Sequence, residues 1–385
     1  MATLNPSQAA AIASGVYLLR ESAVAELREI QAPLGCEGMF AVADNGRFLG
    51  KSGGGPFKKI SGFGYIAAGE GQYAGEVLIA TRGTAQSLDW LSNLNIGMQL
   101  GPGGHLVHAG FHEVWKSFQR DIFDFLRGRN PSRIHCVGHS LGGALAMLNA
   151  DALSAQKVGE VSLYTFGAPR SGDVFYSRSM SKRLGADNIH RVSASSDPVP
   201  MIPLFPFCHM PFDGPGCVIQ SPGLINIGAH NMKRSYIPGV KDHTWETLLE
   251  ASKPNEDQNV KSWLEQAAEG KGTILMGSAS ALTMIGKALR WVLARVRDLL
   301  VGALGVTLTI GATVLDQLAW LLAKGATLSV ELARHVRGLL SAIFRFLGRA
   351  AQTVTNVTAA FLRWVLDLLY TSVSTMARRA LAYLN

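Results

Sequence analysis

Ile134-His135-Cys136-Val137-Gly138-His139-Ser140-Leu141-Gly142-Gly143-Ala144 decides the fold. An apolar, β-favouring run ends at Gly138, a serine follows two residues later, and Leu141–Leu153 continues with helical spacing. This is G-x-S-x-G in a strand–turn–helix setting. The turn must be tight, with glycines two before and two after the serine, because a side chain at either place would meet neighbouring backbone. The serine hydroxyl is thereby held above the end of the strand with a helix start behind it.

Working outward, Val77–Ala80, Val161–Phe166 and Ile189–Ser193 read as further short strands, and Gly110–Arg127 as helical. Alternation of this kind predicts an α/β fold with a mostly parallel central sheet, whose reactive groups gather at the C-terminal strand ends.

A serine hydroxyl is a weak nucleophile at neutral pH and needs a base, which in turn needs an orienting acid. In this strand–turn–helix architecture the chain order is serine, acid, histidine. Asp197, in Ser196-Asp197-Pro198-Val199-Pro200 just past a strand end, is the expected acid; Asp173 and Asp213 lie in other loops. Three histidines follow it: His209 in a Pro/Phe-rich loop, His230 before Asn231-Met232-Lys233-Arg234, and His243 just before an expected helix Thr244–Ala251. His243 is the first choice, because a loop-to-helix junction would hold the base firmly, and His230 and His209 stay open. His139 is expected to point away from the nucleophile. Oxyanion donors are expected from the backbone N–H of Leu141 and from Thr84, in the loop after Val77-Leu78-Ile79-Ala80-Thr81.

With these residues in place, the chain resembles the class 3, fungal-type lipase family of the α/β-hydrolase fold. The resemblance rests on Thr81-Arg82-Gly83-Thr84 with Asp89-Trp90, on Val107-His108-Ala109-Gly110-Phe111, on the Gly138–Gly143 turn and on Thr165-Phe166-Gly167-Ala168-Pro169-Arg170. Asp197-Pro198-Val199-Pro200 and Asp242-His243 complete a match in the family's order over about residues 60 to 250. It implies Ser140, Asp197 and His243 as catalytic residues, Thr84 and Leu141 as oxyanion donors, and a lipid substrate. Family members often carry a tyrosine about a turn after the histidine, where this chain has Leu248, which keeps His230 in play. The family's lid corresponds to Ser87–Met98, with Leu88, Trp90, Leu91 and Leu94 as its apolar face and Gly101-Pro102-Gly103-Gly104 as a hinge. No P-loop pattern surrounds Gly53-Gly54-Gly55, and no cofactor or metal is expected.

Hydrophobic residues make up 48% of the 385 and charged residues 17%, which excludes a disordered chain. Four scattered cysteines exclude a disulfide scaffold; Cys208 and Cys217 either bridge in an oxidising compartment or stay free thiols. The net charge of +8 belongs wholly to the end of the chain, since residues 1–272 balance. Nucleic acid is therefore not an expected partner. The N-terminus lacks the basic start and long apolar core of a secretory signal, so a cytoplasmic location in the producer, membrane association or export by a signal-less route is expected.

The expected organisation is a hydrolase domain over 1–251, a polar linker over 252–272 and a basic, proline-free helical tail over 273–385. Arg334, Arg337, Arg345 and Arg349 lie opposite Leu340, Ile343 and Leu347 on one helix, a pattern suited to an anionic membrane surface. Leu299–Leu315 is uncharged for 17 residues, the lower limit for a span. A lipase with a membrane-prone tail also resembles bacterial lipase toxins exported by type VI machinery, which would imply target-cell phospholipids, an immunity protein and a secretion chaperone. The alternatives are an intracellular triacylglycerol lipase and a membrane-inserting or pore-forming protein driven by the tail.

Overall fold

The computed structural model describes residues 3–19, 35–52, 59–83, 97–204, 206–212, 214, 216–223, 225–252, 260–272, 274, 276–301, 313–350 and 357–382. Its central sheet has seven strands in the order β1-β2-β3-β6-β7-β9-β11. β1 (Phe40–Ser52), β2 (Lys59–Gly69) and β3 (Val77–Thr81) pair antiparallel; from β3 onward, β6 (Arg133–His139), β7 (Glu160–Phe166), β9 (Ile189–Ala194) and β11 (Cys217–Ile219) are parallel. A small second sheet joins β4 (Met98–Leu100), β5 (Leu106–His108), β8 (Gly172–Asp173) and β10 (Phe207–Cys208).

β3 and β6 are buried throughout because both sheet faces are covered, as parallel strands require. Successive side chains alternate between two apolar cores. Ile79, Cys136 and Leu163 face the core shared with helix α4 (Leu141–Ala155) and with Trp115 and Ile122 of the helices α2 (Ala109–Lys116) and α3 (Gln119–Leu126). Leu78, Ala80, Val137, Tyr164 and Phe166 face the opposite core, closed by α1 (Pro6–Gly15) and by Trp245 and Leu248 of α6 (Trp245–Ala251). Helix α5 (Val174–Leu184) lies between β8 and β9 in the chain.

This is the α/β-hydrolase fold with a C-terminal helical region, as expected. The four anticipated strands form within a residue or two of their expected limits, whereas the single helix anticipated over Gly110–Arg127 breaks at Ser117 and Phe118 into α2 and α3. Gly101–Gly104, expected as a hinge, forms the turn joining β4 to β5. The Gly103 N–H donates to buried Asp151 at 2.9 Å, and Asp151 also pairs with Arg183. Cys208 and Cys217 are free thiols.

The stretch expected as a polar linker contains a helix, α7 (Val260–Ala268). Val260, Trp263, Leu264 and Ala267 recur at helical spacing, and that stripe packs into the apolar core with the helices beyond it. These are α8 (Ala279–Val301), α9 (Val314–Leu328), α10 (Val330–Phe346) and α11 (Ala359–Ala382). They do not stand apart from the hydrolase. Leu264, Ile285, Leu318, Val336, Leu369 and Val373 join Met201, Ile202, Leu204 and Phe207 in one continuous core.

Part of the basic stripe is consumed inside the protein: Arg334 pairs with Glu269, Arg345 donates to the carbonyls of Lys271 and Gly272, and Arg363 donates to Asp316 at 2.8 Å. Among the described residues no helix is long and apolar enough to cross a membrane, and residues 302–312 of the uncharged stretch lie outside them.

Candidate active site

Ser140 sits at the junction of β6 and α4 with φ 59° and ψ −134°, a left-handed conformation that a non-glycine residue adopts only when its surroundings impose it. The imposing contacts come from the flanking glycines. A Cβ at Gly138 would strike the Gly142 carbonyl, and one at Gly142 would strike the Thr81 carbonyl on β3. The Ser140 N–H donates to the Phe166 carbonyl at 2.9 Å, tying the turn to the end of β7.

His230 and Asp197 meet this serine. Ser140 Oγ lies 2.8 Å from His230 Nε2, and His230 Nδ1 lies 2.7 Å from Asp197 Oδ2. The carboxylate accepts, so Nδ1 carries the proton and Nε2 is left bare to accept from the serine hydroxyl. Asp197 accepts two further hydrogen bonds, from the Val199 N–H at 2.9 Å and from the Tyr236 hydroxyl at 2.6 Å. Tyr236 in turn accepts from the Ala194 N–H at 3.2 Å. Burial, and then the charge of Asp197, push the Tyr236 phenol well above its ordinary range, so it stays a donor. All four side chains are buried.

His230 is presented by a short turn, Ile227–His230, followed by one wide π-helical turn, Met232–Tyr236. The turn that carries the base and the one that carries Tyr236 are thus contiguous. Between them and the sheet lies Gly167, at φ 57°. A Cβ there would come 2.8 Å from the Tyr236 hydroxyl, 3.0 Å from Asp197 Oδ2 and 3.1 Å from His230 Cε1.

His139 does point away from the serine, and it has a definite task. Its Nε2 faces the His230 carbonyl at 2.9 Å, an acceptor only, so Nε2 carries the proton and Nδ1 accepts from the Tyr17 hydroxyl at 2.8 Å. Burial, reinforced by the neighbouring His230, depresses the His139 imidazole well below its ordinary range and keeps it neutral. The backbone of His230 is therefore anchored to α1's C-terminal extension through the residue next to the nucleophile.

His243 does not join the site. It is exposed, with Nδ1 3.3 Å from Thr247 Oγ1. The reason lies in how α6 docks: Trp245 stacks on His190 with centroids 4.3 Å apart and donates to the Leu4 carbonyl at 2.8 Å. His190 is near the start of β9, seven residues before Asp197, roughly 20 Å along an extended chain. The junction is firm, but it stands at the wrong end of the strand. His209 is held against the Pro200 backbone, and burial depresses its imidazole well below the ordinary range. Asp173 caps α5, accepting from the Tyr176 N–H at 2.8 Å.

Leu141 is the first residue of α4, where an N–H has no intrahelical acceptor and is free to face an anion. Thr84 and the four expected lid residues Leu88, Trp90, Leu91 and Leu94 lie outside the described residues. Gly83, immediately before Thr84, packs against the nucleophile, since a Cβ there would be 3.3 Å from Ser140 Cβ. The Arg82 guanidinium fixes that approach by donating to the Leu19 carbonyl at 2.6 Å.

Reading the sequence missed Tyr236, Tyr17 and Gly167. The resemblance places a tyrosine one turn after His243, where Leu248 stands; Tyr236 lies instead six residues after His230, across the wide turn. Gly167 carried a visible signal, as the glycine in Phe166-Gly167-Ala168-Pro169 directly after a strand.

The arrangement can remove a proton from Ser140 as it attacks and return it to a leaving group. The family model "Lipase (class 3)" matches residues 78–207, a stretch that includes Ser140 and Asp197 and ends before His230. Secreted mono- and diacylglycerol lipase 1 of Fusarium solani is 34% identical over 134 residues, 33% of this chain and 39% of that protein. A chloroplastic phospholipase A(1) of Arabidopsis thaliana is 27% identical over 152 residues, 33% of this chain and 34% of that protein. A crystal structure of the lipase from Rhizopus microsporus var. chinensis is 20% identical, covering 54% of this chain and 79% of that one with a TM-score of 0.36. The chain spans less than half the length of the curated relatives it matches here. Several fungal relatives are named as secreted, which does not match the cytoplasmic expectation. The matched stretch holds the nucleophile turn, the acid loop and the parallel strands β6, β7 and β9, so over residues 78–207 this chain is similar to the class 3 lipases.

Proposed function

We propose that this protein is a serine carboxylester hydrolase, a lipase or phospholipase that cleaves acyl esters of glycerolipids through an acyl-enzyme intermediate. The observation that carries the reading is the continuous relay from Ser140 Oγ through His230 to Asp197, at 2.8 and 2.7 Å. Ser140 Oγ attacks the acyl carbonyl while its proton passes to His230 Nε2, and Asp197 supports the imidazolium that forms. The oxyanion is received by the Leu141 N–H, with Thr84 as the second donor. Collapse expels the glycerol-side alcohol, which takes the proton from His230. Water, deprotonated by the same histidine, then releases the fatty acid and restores the serine.

Lipids as substrates are supported by the relatives, named as mono- and diacylglycerol lipases and a phospholipase A(1). The segment with Leu88, Trp90, Leu91 and Leu94 is assigned the lid over the acyl site. The tail contributes contact with the lipid surface through Trp320 and Trp364, both more than two-fifths exposed, and through exposed Arg337 on α10.

Mass spectrometry of products from liposomes holding both phospholipid and triacylglycerol tests the proposal, with wild type beside Ser140→Ala. Fatty acid and lysophospholipid that vanish with the variant identify a phospholipase; release from acylglycerol alone identifies a neutral-lipid lipase. No serine-dependent product removes the proposal. Use as an antibacterial toxin is a deployment of the same chemistry. It requires that periplasmic expression of wild type, and not of Ser140→Ala, arrest growth.

A further inference from the structure

We propose that Glu265, Glu331 and His335 form a binding site for a divalent transition metal of the zinc type, which fastens α7 to α10 far along the chain from the hydrolase residues. Their ligating atoms all lie within 4.8 Å of one another. His335 is 1% exposed, and its Nε2 is buried without a hydrogen-bond partner. That nitrogen faces Glu265 Oε1 at 3.6 Å, too far for a hydrogen bond. A buried ring nitrogen left in this way has lost water without gaining a partner, so its environment calls for one. Two ligands bonded at 2.0–2.2 Å around a tetrahedral metal stand about 3.4 Å apart, close to the separation found here.

The scaffold is already assembled. Glu331 and His335 are one turn apart on α10 and project side by side. Gly338 continues the same face, and a Cβ there would strike the Leu264 carbonyl, so the backbones of α7 and α10 cross in close contact next to Glu265. The His335 ring is held from a third helix by Trp291, edge to face, with centroids 5.0 Å apart. One imidazole with two carboxylates suits zinc or cobalt better than calcium or magnesium, which prefer all-oxygen shells. Exposed Glu331 leaves the fourth position to water.

A competing cation is present: Lys261 Nζ lies 2.7 Å from Glu331 Oε1, and its side chain is about half exposed. Metal entry displaces it, which makes the affinity adjustable at a residue that is not itself a ligand.

The test is a titration of the full-length, chelator-stripped chain with Co²⁺, read by its visible absorption, and with Zn²⁺, read by thermal unfolding. One metal per chain is expected, with a rise in Tm. Both signals should be lost in His335→Gln and in Glu331→Gln, while Lys261→Gln binds several-fold more tightly. Glu331 is exposed, so its variant keeps the fold if burial of His335 makes the other variant unstable. Ser140→Ala should titrate as wild type does, separating this site from the hydrolase reading. Absence of saturable binding, or binding that survives Glu331→Gln, overturns the proposal.

Discussion

Tyr236 places its hydroxyl 2.6 Å from Asp197 Oδ2, the oxygen that also receives the His230 proton at 2.7 Å. Two donors converge on one carboxylate oxygen, so the phenol helps fix the direction in which Asp197 faces the imidazole. Tyr236→Phe removes that donor and leaves the Ala194 N–H without its acceptor. A hydrogen bond to a charged group contributes about 1.5–3 kcal/mol. Turnover of a soluble ester should fall on the order of tenfold to a hundredfold with KM nearly unchanged. Unaltered kcat would show that Asp197 is positioned without it.

The two histidines should separate cleanly. His230→Ala removes the group in contact with Ser140, and loss of a member of such a relay costs roughly 10⁴- to 10⁶-fold in kcat. His243→Ala removes an exposed side chain whose hydrogen bond stays within the start of its own helix, so its kcat should stay within about twofold of wild type. Steady-state rates of the two purified variants check this. The reverse order would return the base to His243.

Gly167→Ala tests how closely the site is fitted. The position has φ 57°, and the added methyl would crowd Tyr236, Asp197 and His230 together. The expected result is a loss of activity comparable to that of Tyr236→Phe or greater, with Tm lowered by backbone strain. Activity and thermal unfolding on the same preparation would show it; a wild-type rate would mean that the Phe166–Ala168 corner can yield.

Buried histidines set the acid limit of stability. Burial carries His108 from 6.5 down to about 3 and His190 down to about 4. In the unfolded chain these imidazoles take up protons near pH 6.5, while in the folded protein they refuse them. The unfolded state therefore binds more protons below pH 6.5, and stability falls as pH drops toward 4 for His190 and toward 3 for His108. The slope is about 1.4 kcal/mol per pH unit for each fully titrating group. Asp151 and Asp173, raised by burial, act in the opposite sense only when the carboxylate range is reached. Urea midpoints from pH 7.5 down to 4.5 should decline steadily; a flat profile would show that other groups compensate.

What could be read from the sequence was whatever is local. The β6–α4 turn and the strands beside it depend on neighbouring residues and form where they were expected, and Asp197 lies just past the end of β9, hydrogen-bonded to His230. The choice between His230 and His243 depends on which end of β9 each segment reaches, and that is decided by Trp245 stacking on His190, a contact spanning 55 positions. The long antiparallel pair β1 and β2 was hidden by glycines, two of which sit under aromatic rings: a Cβ at Gly50 would meet Phe63 and one at Gly64 would meet Phe48. In the tail, amphipathic stripes were legible, but the surface they cover was not. The apolar faces that would lie on a membrane pack instead on one another and, through α8 and α11, on the turn Val199–Met201.

That packing makes the tail part of the catalytic support, and truncation is the way to test it. Helix α11 contacts the Ile227–His230 turn that presents the base. Leu369 and Val373 share a core with Met201, Ile202 and Leu204, and a hydrogen bond links the Tyr370 hydroxyl to the Leu204 backbone. Each buried leucine removed from such a core costs about 2–5 kcal/mol, so a chain ending before residue 357 loses several contributions of that size at once. It should lose activity toward a soluble short-chain ester as well as toward liposomes, because the loops holding Asp197 and His230 would no longer be braced. Leu369→Ala, a milder change, should lower Tm and leave part of the soluble-ester rate. If the truncated chain hydrolysed the soluble ester at the wild-type rate and failed only on liposomes, the tail would be a surface anchor and the bracing argument would fall.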